Sequence, residues 1–64
     1  MDRQRVVLGL EDAAHDLDLV VFELEQAVRA ANDEGTRVER DALRRRLERL
    51  RDRMRDLAER AAEA

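Results

Sequence analysis

Apolar residues in the first half of the chain recur at the period of an α-helix. Leu10, Leu17 and Leu24 stand seven residues apart, and neighbouring apolar positions widen the same stripe. These neighbouring positions are Val6, Val7, Ala13, Ala14, Val20, Val21, Ala27 and Val28. A stripe of this breadth is typical of a helix that buries one face against other helices. The pattern predicts a first helix over about residues 3–31, with Asp2 as its N-cap.

The second half of the chain carries a narrower apolar stripe, in which spacings of four and three residues alternate. Its members are Leu43, Leu47, Leu50, Met54, Leu57 and Ala61. This spacing is the seam of a coiled coil, and the nearly continuous charge around it leaves one groove for contact. Thr36 and Glu39 have the spacing of a capping box. We therefore expect a second helix over about residues 37–62, beginning directly after Thr36.

Residues 32–36 form the one clear break between these helices. Asn32 and Gly35 tolerate positive φ, which the turn after a helix often requires. A short loop between two long helices makes them antiparallel neighbours. Pairing Leu24 with Leu43 places the midpoint of the hairpin inside this break. The apolar stripes and the turn therefore indicate the same register.

The charges of the two helices are complementary. The middle of the first helix is acidic, and the middle of the second is rich in arginine. In the register above, Glu23 flanks Arg46, and Asp16 flanks Arg53. Exposed ion pairs contribute little to stability. We expect their main effect to be the choice of partner helix and its orientation.

The small size of the chain indicates self-association. A chain of 64 residues without cysteine lacks the disulfides and thiolate metal sites that stabilise many small domains. Charged residues make up 45% of the chain, and their arrangement around heptads favours helices over disorder. The sequence predicts one all-α domain over residues 1–64, an antiparallel two-helix hairpin that assembles as a homodimeric four-helix bundle.

A second apolar seam of the first helix lies nearly opposite its main stripe. Leu8, Leu19 and Phe22 share this seam with Asp12, His15 and Gln26. Single exposed apolar residues are ordinary, but these three lie on one helix face and have no predicted mate in the chain. We expect a contact surface here, for a second copy in preference to a different protein. The predicted interface residues are Leu8, His15, Leu19 and Phe22, flanked by Val7, Val21 and Val28.

The arginines of the second helix suggest an alternative, a small regulator that binds nucleic acid. Its contacts would be Arg44, Arg45, Arg49 and Arg53. Three observations weigh against it: the net charge is −3, the second helix has no aromatic residue, and carboxylates interrupt the cluster. An arginine-rich face that pairs with an acidic neighbour explains the same residues.

Candidate chemistry is sparse. The chain contains no Cys, Ser, Tyr or Lys, and its single Thr36 has a capping role in this interpretation, so nucleophilic catalysis has no support. Asp12 and His15 have a spacing that can chelate a metal on a helix, but the seam of the second helix adds no carboxylate. We expect no enzyme activity, no cofactor and no metal.

The sequence favours a cytoplasmic protein with a binding role. No stretch approaches the roughly 20 apolar residues that span a bilayer, and the apolar run at residues 6–10 is too short for a signal peptide. The chain uses arginine and no lysine, a preference that favours a GC-rich bacterial source. The predicted function is a non-enzymatic protein–protein interaction module, such as a small adaptor, scaffold or regulatory subunit.

Overall fold

The protein is a hairpin of two long α-helices. The computed structural model describes residues 2–63, and within that range it contains no strand. Helix α1 spans Arg3–Ala30 and helix α2 spans Glu34–Glu63. The hairpin measures 47 × 14 × 13 Å, so it is a rod two helices wide. The prediction of an all-α two-helix hairpin is confirmed.

Helix α1 begins where the sequence predicts. The carboxylate of Asp2 accepts a hydrogen bond from the backbone N–H of Gln4 at 3.1 Å, which confirms Asp2 as the N-cap. At the other end Ala31 leaves the helical conformation, and its N–H donates to the carbonyl of Val28 at 3.3 Å. The chain therefore turns immediately after Ala30.

Helix α2 begins three residues before the predicted start. The carboxylate of Asp33 accepts a hydrogen bond from the backbone N–H of Thr36 at 2.9 Å, and the carbonyl of Asp33 accepts one from Arg37 at 3.2 Å. Asp33 is thus the capping residue, and the predicted capping box of Thr36 with Glu39 is wrong. The hydrogen bonds from Thr36 lower the pKa of the Asp33 carboxyl below its ordinary value of 3.8. Between residues 2 and 63, no residue has positive φ.

The register of the hairpin is fixed near the loop by two arginines of α2. The guanidinium of Arg40 donates to the carbonyl oxygen of Ala27 at 2.7 Å, and that of Arg37 donates to the carbonyl oxygen of Ala31 at 3.2 Å. These bonds satisfy carbonyls that the end of α1 leaves without a helical partner. The contact between Arg40 and Ala27 agrees with the predicted register.

The core is a narrow seam made mostly of small side chains. The buried apolar residues are Ala14, Val21, Ala31 and Ala58. Along α1 and its C-cap residue Ala31, buried and half-buried residues follow the heptad pattern Val7, Leu10, Ala14, Leu17, Val21, Leu24, Val28 and Ala31. Along α2, they follow the pattern Arg40, Arg44, Leu47, Arg51, Met54, Ala58 and Ala61. Among residues 2–63, no large side chain is completely buried.

Helix α2 is rotated relative to its predicted seam. Its apolar residues at positions 47, 54 and 61 are half-buried as predicted, but Leu43, Leu50 and Leu57 are exposed. Arg44 and Arg51 occupy the inward positions in their place, each with only 21% of its side chain exposed. Their aliphatic stems cover the seam while their charged ends reach carboxylates at its rim.

Neither helix, over the residues described, contains a segment long and apolar enough to cross a membrane.

Candidate protein–protein interface

One long edge of the hairpin is held by ion pairs, and we call it the polar edge. It consists of Asp18, Asp41, Arg44, Glu48, Arg51 and Arg55. Asp18 of α1 binds Arg51 at 2.7 Å and also binds Arg55, which joins the two helices. Within α2, Arg44 bridges Asp41 at 2.8 Å and Glu48 at 2.7 Å. Each of these six side chains therefore has a partner of opposite charge inside the chain.

The arginines of the polar edge lower the pKa values of its two aspartates. Partial desolvation would raise the pKa of Asp18, but the hydrogen bond from Arg51 and the charges of Arg55 and Arg51 outweigh it, so its pKa lies below 3.8. The hydrogen bond from Arg44 likewise lowers the pKa of Asp41. Both aspartates are consequently held in the charged form that the arginines require.

The opposite long edge is apolar. In an antiparallel helix pair, the flanks of the two seams meet side by side along each edge. The Asp18–Arg55 contact identifies one pair of flanks, so the remaining flanks share the other edge. This apolar edge consists of Val6, Ala13, Val20 and Ala27 from α1 and of Leu43, Leu50 and Leu57 from α2. It contains no charged residue.

Large side chains on the apolar edge are open to solvent. Val20 is 40% exposed, and the three leucines are 46%, 41% and 44% exposed in chain order. A shallow groove runs beside them along α2, lined by Leu43, Arg46, Leu47, Arg49, Leu50 and Arg53. The apolar edge and the groove together form a continuous surface that draws on both helices.

The two margins of the apolar edge carry opposite charges. Asp16 and Glu23 follow the α1 margin at a spacing of seven residues, and Arg46 and Arg53 follow the α2 margin at the same spacing. The predicted pairs Glu23–Arg46 and Asp16–Arg53 do not form within the chain, since none of the ion pairs between residues 2 and 63 involves these side chains. The cross-helix pairing falls on Asp18 instead.

The predicted interface on the back of α1 is divided by the structure. Leu8, Leu19 and Phe22 are 55%, 52% and 59% exposed, and His15 is exposed beside them; we call these four residues the back face.

The flanking valines point elsewhere. Val21 is only 3% exposed, and Val7 and Val28 are half-buried on the seam with α2. Their apolar surface is engaged within the hairpin, so the surface open to a second protein excludes Val21.

The arginines proposed as nucleic-acid contacts are also divided. Arg44 and Arg45 both bind Asp41, each at 2.8 Å. Arg49 and Arg53 lie on the groove beside the apolar edge and form no ion pair with another described residue. Half of the set is therefore neutralised by a carboxylate of its own helix.

The sequence interpretation predicted that Leu8, Leu19 and Phe22 have no mate within the chain, but it missed the apolar edge. It assigned Leu43, Leu50 and Leu57 to the contact between the two helices. One signal pointed to a further surface: the apolar stripe of the first helix spans more heptad positions than one partner helix covers. Val20 belongs to the part of the stripe that α2 leaves open.

The described part of the chain contains no cluster of metal ligands. Within residues 2–63, no group of three or more His, Cys, Asp or Glu side chains is placed to hold a metal ion. Asp12 and His15 both lie on the exposed side of α1. Comparison of the chain with protein-family models, curated proteins and solved structures finds no match.

Proposed function

We propose that the protein is a non-enzymatic interaction module that works as a homodimeric four-helix bundle, with the apolar edge as its dimer contact. The observation that carries this proposal is the contrast between core and edge. Three of the four buried apolar residues are alanines, whereas the apolar edge leaves one valine and three leucines at least 40% exposed. A domain this small needs more buried apolar surface than the seam provides.

The dimensions of the hairpin suit a second copy. A homodimer of standard size removes about 800 Å² of surface from each chain. This is about a sixth of the 5057 Å² that the hairpin exposes. One long side of the rod, 47 by 14 Å, has a projected area of the same order. A second hairpin laid along the apolar edge completes four helices around one core.

The back face remains outside this dimer contact. Because it lies on α1 alone, away from α2, it stays exposed when two chains pack through their apolar edges. We propose that Leu8, Leu19 and Phe22 present this surface to a different protein. The module then acts as a small adaptor, scaffold or regulatory subunit.

The proposal is tested by placing charge on each surface in turn. A variant with Leu43→Glu and Leu50→Glu is compared with a matched control, Leu19→Glu and Phe22→Glu, by sedimentation equilibrium. We expect twice the 7.5 kDa chain mass for the wild type and for the control. The edge variant should sediment as a single chain or lose its helicity, because a buried unpaired charge is strongly unfavourable. A wild type that stays at the mass of one chain at high concentration contradicts the proposal.

The alternative function is nucleic-acid binding by α2. Its support is the absence of a carboxylate partner at Arg49 and Arg53 within the described residues. The pairing of Arg44 and Arg45 with Asp41 opposes it. Titration of the same samples with duplex DNA at low salt separates the two functions, since binding to phosphates weakens steeply as salt is added.

A further inference from the structure

We infer that the two chains are related by a two-fold axis parallel to their helices, so that α1 of each chain packs against α2 of the other. This inference rests on the proposed dimer and specifies its geometry. It follows from the margins of the apolar edge, which are acidic along α1 and basic along α2. Asp16, Glu23, Arg46 and Arg53 are the residues that distinguish the possible arrangements.

Two symmetric arrangements bring the apolar edges of two copies face to face. With the two-fold axis along the helices, the acidic margin of each chain meets the basic margin of the other. With the axis across the helices, acidic meets acidic and basic meets basic. Like charges placed opposite each other disfavour an interface, whereas complementary margins select it. The axis along the helices is therefore the favoured one.

The heights of the charges along the rod agree with this choice. The hydrogen bond from Arg40 to the carbonyl of Ala27 sets the register of the hairpin. Continuing both helices from that point at equal rise brings Glu23 to within about 3 Å of the height of Arg46, and Asp16 to within about 3 Å of the height of Arg53.

A two-fold axis parallel to the helices leaves every residue at its own height. Glu23 of one chain therefore meets Arg46 of the second copy, and Asp16 meets Arg53 of the second copy. The offset of about 3 Å in each pair is within the reach of an arginine side chain, so no shift of one chain along the other is needed.

The charges are available for these contacts. Asp16, Glu23, Arg46 and Arg53 form no ion pair with another residue between 2 and 63. The carboxylate that does bind arginines of α2 is Asp18, which lies on the polar edge and faces away from the second copy. Intrachain and interchain pairing thus use different residues on different edges.

The two arrangements differ in the placement of the loops. With the axis along the helices, both loops lie at the same end of the bundle. With the axis across them, the loops lie at opposite ends, separated by the 47 Å length of the rod.

Asn32 in the exposed loop reports this difference directly. The chain has no cysteine, so Asn32→Cys introduces a single thiol that accepts one spin label. Pulsed electron–electron double resonance on the labelled protein then measures the distance between the spin labels on the two loops.

We expect a distance of about 25 Å or less, because neighbouring helices in a bundle lie about 8–10 Å apart. A distance near the 47 Å length of the rod overturns the inference and leaves the dimer intact. Labelled protein that sediments as a single chain overturns the proposed function together with the inference. The mass and the distance are measured on one sample, so the two failures are distinguishable.

A charge exchange tests the same geometry without a label. Glu23→Arg places an arginine opposite Arg46 of the second copy, and we expect the dimer dissociation constant to rise roughly tenfold. Adding Arg46→Glu to the same chain restores the opposite signs and should restore the affinity. Asp12→Arg, on the exposed side away from α2, makes the same charge change and serves as the matched control. Tighter association of Glu23→Arg than of the control indicates acidic margins in contact and overturns the inference.

Discussion

The polar and apolar edges of the hairpin flank the same seam but are completed in different ways. On the polar edge, Asp18 binds Arg51 and Arg55, so its charged groups find partners within the chain. On the apolar edge, Leu43 and Leu50 remain in contact with water. Two helices can pair their charges along a line of contact, but they cannot enclose large side chains, which require a further layer.

The two edges also differ in what they contribute to stability. Exposed ion pairs contribute little, and salt screens them. Complete burial of a leucine contributes about 1.5–3 kcal/mol relative to exposure. We therefore expect the polar edge to orient the helices, and the apolar edge to provide most of the additional stability when a second chain covers it.

The largest expected effect comes from shortening a side chain on the apolar edge. Leu50→Ala should lower the free energy of unfolding of the dimer by about 2–3 kcal/mol, the cost of truncating a leucine in a core. Leu19→Ala on the back face should lower it by less than about 1 kcal/mol. Chemical denaturation at a fixed concentration measures both. Equal small effects would mean that Leu50 stays in water and that the two faces are alike.

A smaller effect is expected at the outer margin of the apolar edge. Gly9 precedes Asp16 on that margin by one heptad, and a Cβ added to it meets nothing within 4 Å. Gly9→Ala should raise the free energy of unfolding by about 1 kcal/mol, because alanine is the better helix former. Thermal denaturation followed by circular dichroism measures the change.

Gly35→Ala, near the loop and away from the margin, is the comparison for Gly9→Ala. Its added Cβ would lie 3.4 Å from the carboxylate of Asp33, an ordinary contact. Stabilisation at Gly35 together with destabilisation at Gly9 would show that the second copy approaches the α1 margin more closely than side-by-side packing requires.

The smallest effect is expected on the polar edge, and it depends on pH. The pKa of Asp18 is lower in the folded protein than its ordinary value of 3.8, so the ionised carboxylate stabilises the fold above about pH 3.8. This stabilisation is lost as the pH falls through the folded pKa. Asp18→Asn should lower the melting temperature by a few degrees at pH 7 and have less effect below pH 3.

Added salt separates the contribution of Asp18 from that of the apolar edge. At high salt the difference between the wild type and Asp18→Asn should shrink, whereas the effect of Leu50→Ala should persist. The Asp18→Asn variant should keep part of the acid sensitivity of the wild type, because Asp33 and Asp41 also have lowered pKa values. An Asp18→Asn protein with an unchanged acid transition would show that the arginines of α2 do not stabilise the hairpin through Asp18.

The helices and their pairing were predictable from the sequence because heptad spacing indicates a helix with a contact face, whichever helix packs against that face. The rotation of α2 was not, since a hydropathy pattern treats arginine as polar throughout, while the stems of Arg44 and Arg51 fill inward positions. The start of α2 was missed because both Asp33 and Thr36 are good capping residues. The earlier cap adds a turn of helix and places Glu34 at its positive end.

The candidate site was predictable only in part, because spacing identifies an unpaired helix face but not which line of a helix turns inward. The back face could be recognised because Leu8, Leu19 and Phe22 fall outside every stripe that another helix could cover within the chain. The apolar edge could not, because Leu43 and Leu50 have the spacing of a seam. Which neighbouring line of α2 turns inward depends on the fit of Ala58 and the arginine stems against α1, a matter of packing that spacing does not encode.

The short loop over residues 31–33 has a kinetic consequence. Closing a short loop takes well under a microsecond, and helices form on the microsecond scale. Because contacts then spread outward from the loop, the hairpin completes itself faster than dilute chains meet in solution. For the proposed dimer, we therefore expect the slow, concentration-dependent step to be the encounter between two hairpins whose leucines are still exposed.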